Sequence, residues 1–178
     1  MVFQACLLCG GNANEPDHWL TCGDGPDALQ AAVLAFRAGI RTPEGHVCPV
    51  CDRWARVHRR RITAGAASTA AWMFKYHGEA WVHVAAAAPK RLIQNREYNR
   101  LGYWDLLEPQ PNVTDPKKRT LGLWRLTVPG IAWVRQSLVV PAWVEIYNDA
   151  VVRRADTMVP FSASMAEHFD YDEFLANL

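Results

Sequence analysis

Two CxxC pairs constrain the fold of this chain more than any other feature of its sequence. Cys6 and Cys9 form one pair, Cys48 and Cys51 form the other, and 39 positions separate Cys9 from Cys48. A CxxC turn presents both sulfurs to one side, so two such turns supply the four thiolates of a tetrahedral zinc site. The pattern predicts a structural Zn²⁺ held by these four cysteines.

Other ligands and other chemistry remain open for the cysteines. Cys22, His18 and His46 are candidate substitute ligands. Buried thiols or a redox-active CxxC are alternatives, although a redox motif needs a βαβ context that neither pair has. A deaminase zinc site needs a His-x-Glu and then Pro-Cys-x-x-Cys, whereas Val47 precedes Cys48 here. We therefore expect a closed, non-catalytic site.

The cysteines and the first residues of the sequence indicate the cellular compartment of the protein. The cysteines total five, and four of them are in CxxC pairs, which is typical of metal binding in a reducing compartment. The first residues lack a basic segment followed by an apolar one, so we expect no secretion signal. The apolar stretch over residues 64–74 is too short to span a bilayer. The sequence predicts a cytoplasmic protein without a membrane partner.

The net charge is +1, but the charged residues are distributed unevenly along the chain. Residues 41–125 hold fifteen Lys or Arg against seven acids, whereas residues 1–40 and 126–178 are both acidic. A basic middle between acidic ends favours a polyanionic partner, and a solvated basic face is the alternative.

Helix and strand signals alternate along the chain and predict an α+β fold. Pro26 lies near the start of the first predicted helix and Gly39 lies just past its end, as helix boundaries favour. Helices are predicted at 26–38, 52–58, 63–76, 95–103 and 129–136, strands at 81–84, 121–127 and 138–147, and a hairpin turn at 148–149. A helix directly after the second CxxC would resemble a treble clef.

Two stretches resemble winged helix-turn-helix domains. Residues 95–108 (NREYNRLGYWDLLE) are similar to a recognition helix that runs into the first wing strand, and residues 123–130 (LWRLTVPG) are similar to the returning strand. Similar stretches recur in small uncharacterised proteins of bacteriophages and mobile elements. The sequence departs from the pattern between Val84 and Arg91, where Pro89 interrupts the second helix. The resemblance covers under half of the chain and implies a fold, not an activity.

A DNA-binding interpretation of this fold indicates which residues would contact DNA. Arg96, Asn99 and Arg100 share one face of an α-helix, and Arg pairs with guanine as Asn pairs with adenine. Basic side chains at the wing tip and before the first helix would contact phosphate. These six residues are Lys117, Lys118, Arg119, Arg59, Arg60 and Arg61.

The combined expectation is a zinc-binding module over residues 1–58, a winged-helix-like domain over 59–136, and a C-terminal β-hairpin with a helical extension over 137–178. Its function would be that of a zinc-stabilised DNA-binding protein, a phage or mobile-element regulator acting on double-stranded DNA in the host cytoplasm. A homodimer is left open.

A protein-binding adaptor, or an inhibitor of a host factor, is the competing class. The zinc module and the Trp-rich C-terminal part, with Trp133, Trp143 and Tyr147, would form its docking surface. An enzyme is not expected, because neither a P-loop nor a dinucleotide-binding glycine pattern is present.

Overall fold

The computed structural model describes residues 25–48, 52–94, 96–113, 120–165 and 169–178. Contacts divide the described chain into two compact units, the first ending at His58 and the second beginning at Arg59. Helices alternate with small sheets in both units, so the fold is α+β, as the sequence predicts. No helix among the described residues has the length and apolar character needed to cross a membrane.

The described residues of the first unit form one helix and one short hairpin. Helix α1 spans Gly25–Gly39 and confirms the predicted helix, and strands β1 (His46–Val47) and β2 (Trp54–Ala55) pair antiparallel. A Cβ added at Gly39 would lie 2.7 Å from the His46 ring. Glycine at the helix end therefore allows the hairpin to pack directly against α1.

The predicted helix over residues 52–58 is wrong. Asp52 has a φ of 54°, which an α-helix excludes. The next residues are extended, because Ala55 pairs with His46 and the Trp54 indole N–H donates to the Glu44 carbonyl at 2.9 Å. A strand therefore follows the second CxxC, and the treble-clef resemblance fails at this point.

The second unit begins within strand β3 (His58–Arg60) and is organised around helix α2 (Ala64–His77). The Thr63 hydroxyl caps α2 by accepting from the Ala66 amide at 3.3 Å, and Gly78 ends it with a φ of 57°. This confirms the predicted helix and its cap. Its buried face is mostly alanine, which allows neighbouring elements to approach closely.

Short helical segments follow α2. Val82 forms only an isolated bridge with Trp124, in place of the predicted strand. Helices α3 (Val84–Ala87) and α4 (Lys90–Ile93) lie on either side of Ala88-Pro89, because proline cannot continue α3. The predicted helix over 95–103 is a 3₁₀ helix, Glu97–Trp104.

A β-hairpin leads away from this core. Strands β4 (Leu107–Pro111) and β5 (Thr120–Leu126) pair antiparallel, with Leu107 opposite Leu126. Both residues are 2% exposed at the base of the hairpin, whereas Val113, beyond the end of β4, is 90% exposed. The hairpin therefore runs from the core into solvent.

The C-terminal elements join the same core. Helix α5 (Val128–Val134) precedes β6 (Val140–Pro141), β7 (Val144–Tyr147), β8 (Ala150–Arg154), β9 (Met158–Val159), a 3₁₀ turn (Phe161–Ser164) and α6 (Tyr171–Ala176). β3, β7 and β8 form one sheet, and β6 pairs with β9. The predicted turn at Asn148-Asp149 is confirmed, and both residues have positive φ. Trp133 packs against Phe161 with ring centroids 4.9 Å apart.

Candidate functional site

The β1–β2 hairpin presents Cys48 at its turn. The Cys48 amide donates to the Arg53 carbonyl and the Asp52 amide donates to the Cys48 carbonyl, both at 2.9 Å. The chain thus reverses direction between Cys48 and Asp52, and the half-buried Cys48 lies at the end of β1. This arrangement suits a CxxC zinc knuckle.

The other predicted zinc ligands lie outside the described residues. Within the described ranges, no three His, Cys, Asp or Glu side chains form a group that could hold a metal ion. His46 packs its ring against Phe36, with centroids 6.1 Å apart. The zinc site stays a prediction, since the following candidate ligands have no described position: Cys6, Cys9, Cys51, Cys22 and His18.

In the second unit, Arg59 extends from β3 across the sheet to β7. Its Nη2 lies 2.9 Å from Glu145 Oε1, and its side chain is 55% exposed whereas that of Glu145 is 9% exposed. The guanidinium carbon lies 4.1 Å from the centre of the Trp143 ring. Arg153 on β8, opposite Glu145 in the strand register, has its guanidinium carbon 5.5 Å from the same ring.

Arg100 forms a second ion pair, on the 3₁₀ helix. Its Nη1 lies 2.9 Å from Glu97 Oε1, and the Thr63 hydroxyl donates to the other oxygen of Glu97 at 2.6 Å. Arg100 is thereby tied to the start of α2. Its side chain is 42% exposed and that of Glu97 is 24% exposed.

Both ion pairs have the carboxylate inside and the guanidinium outside. A guanidinium carries five N–H donors, and in each pair the carboxylate uses only part of them. The pairing therefore orients Arg59 and Arg100 while leaving donors directed at solvent. Glu145 retains a buried oxygen, Oε2, without a hydrogen-bond partner in the described structure.

Arg61 lies between the two pairs, because it lines two neighbouring depressions. One is a narrow depression beside Glu97 and Arg100. The other is a cleft of about 190 Å³ beside Trp143. We call Arg59, Arg61, Arg100 and Arg153 the arginine surface. Arg60 is not part of it, since successive residues of a strand point to opposite faces.

The predicted base readers are arranged differently from the α-helix that the sequence suggests. A 3₁₀ helix has three residues per turn, so Arg100 aligns with Glu97 and not with Arg96. Arg96 precedes the helix in a left-handed conformation with a φ of 49°, and Asn99 is exposed. Burial raises the pKa of Tyr98, and the positive charge of Arg96 partly offsets that rise.

The β4–β5 hairpin is reinforced by a cross-strand ion pair. Arg125 Nε lies 2.5 Å from Glu108 Oε1, and the same guanidinium stacks 4.5 Å from the Trp81 ring centre. Lys117, Lys118 and Arg119 belong to the segment that joins the two strands and lie outside the described residues.

Sequence reasoning missed Glu145 and Arg153 as members of the site. The Asn148-Asp149 turn was a partial signal, because a regular hairpin folded there pairs Glu145 with Val152. The bulge between Glu145 and Ile146 shifts the register and brings Glu145 opposite Arg153. Trp143 was noticed only as part of a Trp-rich surface. Its contact with Arg59 joins β3 to the start of β7, and no local pattern indicates it.

No family model matches this chain, and no curated protein or solved structure matches it either. Its functional assignment therefore depends on its own surface chemistry. The arginine surface can hold an anion through outward guanidinium groups.

Proposed function

We propose that the second unit binds the phosphate backbone of a nucleic acid, with double-stranded DNA as the expected partner. The observation that carries this proposal is the arginine surface. Arg59 and Arg100 are held outward by carboxylates beneath them, and Arg61 lies between them. Preoriented guanidinium groups bind phosphate oxygens well, because little side-chain entropy is lost on contact.

The order of elements supports a winged-helix-like arrangement. Helix α2 is followed by a bridged residue, two short helices, the 3₁₀ helix and the β4–β5 hairpin. In this arrangement the hairpin serves as the wing, and Lys117, Lys118 and Arg119, in the segment that joins its strands, would contact phosphate.

Phosphate contacts should outweigh base contacts in this protein. Arg100 is paired with Glu97, so its guanidinium is poorly placed to make a bidentate contact with a guanine edge. Arg96 and Asn99 remain the candidate base readers. We therefore expect binding with low sequence specificity and strong dependence on salt, as phosphate-dominated binding requires.

We also propose that the first unit is held by one structural Zn²⁺ bound to Cys6, Cys9, Cys48 and Cys51. Such an ion would cross-link two distant CxxC pairs and supply stability rather than catalysis. The turn at Cys48 supports this ligand set. With the resemblance to phage and mobile-element proteins, this gives a zinc-stabilised, non-enzymatic regulator in the cytoplasm.

The direct test removes two members of the arginine surface. We expect Arg61→Ala with Arg100→Ala to weaken binding to a random-sequence duplex about tenfold, and to reduce the steepness of log K against log salt by about 1.8. Fluorescence anisotropy over a salt series measures both quantities. The control is Arg37→Ala with Lys90→Ala, which removes equal charge at two exposed residues that are not members of the arginine surface.

An equal loss in the two double variants would mean that only net charge matters, and it would overturn the proposed surface. A protein-binding adaptor is the second candidate, favoured by the half-buried Trp143 beside its cleft. Absence of any binding to duplex DNA at low salt would favour the adaptor over nucleic-acid binding.

A further inference from the structure

The cleft beside Trp143 has the size and the walls of a site for one flat ring. Its volume is about 190 Å³, below the range of drug-sized pockets. Its apolar lining comes from the Trp143 indole and from Ile62, Pro141, Ala142, Val159 and Ala163. Two polar side chains, Arg61 and Ser164, also line it.

The indole that forms one wall is held in place. Arg59 and Arg153 both lie within 6 Å of the Trp143 ring centre, the range of cation–π attraction. Arg59 is itself fixed by the buried Glu145. The wall is therefore positioned before any ligand arrives, which lowers the entropic cost of binding.

The charge around the cleft selects among possible occupants. Arg61 lines the cleft, and Arg59 and Arg153 lie beside it near the carboxylate of Glu145. A neutral apolar side chain would fill the cleft but leave these cations unused. A flat ring joined to phosphate groups would use both the apolar walls and the cationic surroundings.

We propose that the cleft takes one unpaired base of a nucleic-acid strand, while Arg61 and Arg153 contact the phosphates on either side of it. This inference deepens the proposed nucleic-acid binding and rests on it. Ser164 offers a hydroxyl that can donate to or accept from a base edge. Bases inside a duplex are stacked and unavailable, so the partner class is a nucleic acid with a single-stranded end, gap or extruded base.

The test compares a blunt duplex with the same duplex carrying a three-nucleotide overhang that contains 2-aminopurine, a fluorescent base quenched by stacking. We expect the wild-type chain to bind the overhang duplex about tenfold more tightly than the blunt one. Quenching of 2-aminopurine should accompany this binding.

The matched variants add an aromatic ring inside or outside the cleft. Ala163→Phe adds it at the cleft wall, and Ala86→Phe adds it at an exposed position on α3. We expect the Ala163 variant alone to lose the overhang preference and the quenching, while both variants bind the blunt duplex like wild type. Equal melting temperatures show that both variants fold.

The outcomes distinguish this inference from the proposed nucleic-acid binding on which it rests. Blunt-duplex binding with no overhang preference would overturn the base site and leave the nucleic-acid proposal standing. Failure to bind either duplex would overturn both. Displacement of the overhang by an acidic, aromatic-containing peptide, without displacement of the blunt duplex, would assign the cleft to a protein partner and overturn the base site.

Discussion

The two units of this chain differ in what buries their apolar residues. Among the described residues of the first unit, Ile40 and Ala55 are the buried hydrophobic side chains, while Leu34 and Trp54 are 57% and 56% exposed. The second unit has a continuous core in which several large side chains, Trp133 among them, are fully buried.

This difference indicates what each unit needs in order to fold. The described part of the first unit has strands of two residues and little buried apolar area to offset the conformational entropy of ordering the chain. Small modules of this kind are usually stabilised by a metal or by disulfides. Our account is that zinc holds the first unit and that side-chain packing holds the second.

Loss of the metal should have the largest effect, because it should open the first unit and leave the second unit folded. We expect Cys48→Ser to remove bound zinc and to expose the Val57 amide, which donates to the Ile40 carbonyl at 2.7 Å, to fast hydrogen exchange. The amides of α2 should stay protected, because packing holds that helix. Metal analysis and hydrogen exchange by mass spectrometry measure these results.

Cys22→Ser is the control, since it makes the same chemical change at a cysteine outside both pairs. It should retain one zinc per chain. If the Cys22 variant loses the metal and the Cys48 variant keeps it, the ligand set is wrong.

A glycine pair inside the second unit tests the packing half of the comparison. A Cβ at Gly130 would lie 2.0 Å from the Leu106 carbonyl oxygen, so Gly130→Ala must move backbone and should cost about 3 kcal/mol of unfolding free energy. A Cβ at Gly65 would have no neighbouring atom within 4 Å, and Gly65→Ala in α2 should stabilise by about 0.5–1 kcal/mol. Denaturant unfolding followed by tryptophan fluorescence measures both changes. Similar effects at the two positions would contradict the tight packing of α5.

Alkaline pH should act on the second unit through its tyrosines, with the smallest effect. All five tyrosines lie in residues 59–178. Burial raises the pKa of Tyr98 and of Tyr171 above the ordinary value of 10.0, and Asp172 adds to the rise at Tyr171. The folded state therefore holds these protons more tightly, so this stabilisation is complete below pH 10.0 and is lost as pH rises through the raised values.

The double variant Tyr98→Phe with Tyr171→Phe should lose less stability than wild type between neutral pH and strongly alkaline pH. Tyr76→Phe is the control, because Tyr76 is 53% exposed. Thermal unfolding at several pH values measures the difference. A double variant that loses as much stability as wild type would contradict the raised pKa values of Tyr98 and Tyr171.

Capping and turn residues in the sequence predicted the elements whose ends they mark. Thr63 and Gly78 mark the two ends of α2, and Asn148-Asp149 marks the β7–β8 turn. Residues 52–58 were predicted wrongly, because pairing of β2 with β1 overrides helix propensity there. Only contacts beyond the local window determine that outcome.

The candidate site was partly predictable for the same reason. Arg59 and Arg61 could be named from the basic stretch, and Arg100 from the segment that resembles a recognition helix. Arg100 with Glu97 is an ordinary i, i+3 pair. Arg59 and Glu145 are 86 positions apart, so their pairing depends on the β3–β7 sheet contact. The sequence alone therefore indicated a basic surface for a partner, but it did not indicate the carboxylates that orient the arginines.

The most direct measurement of the central claim is the salt dependence of wild-type binding to a random-sequence duplex. Four outward arginines and three basic residues of the hairpin segment predict log K falling with log salt with a slope of about −4 to −6. A slope near zero, or no binding at about 50 mM salt, would show that the arginine surface does not bind phosphate.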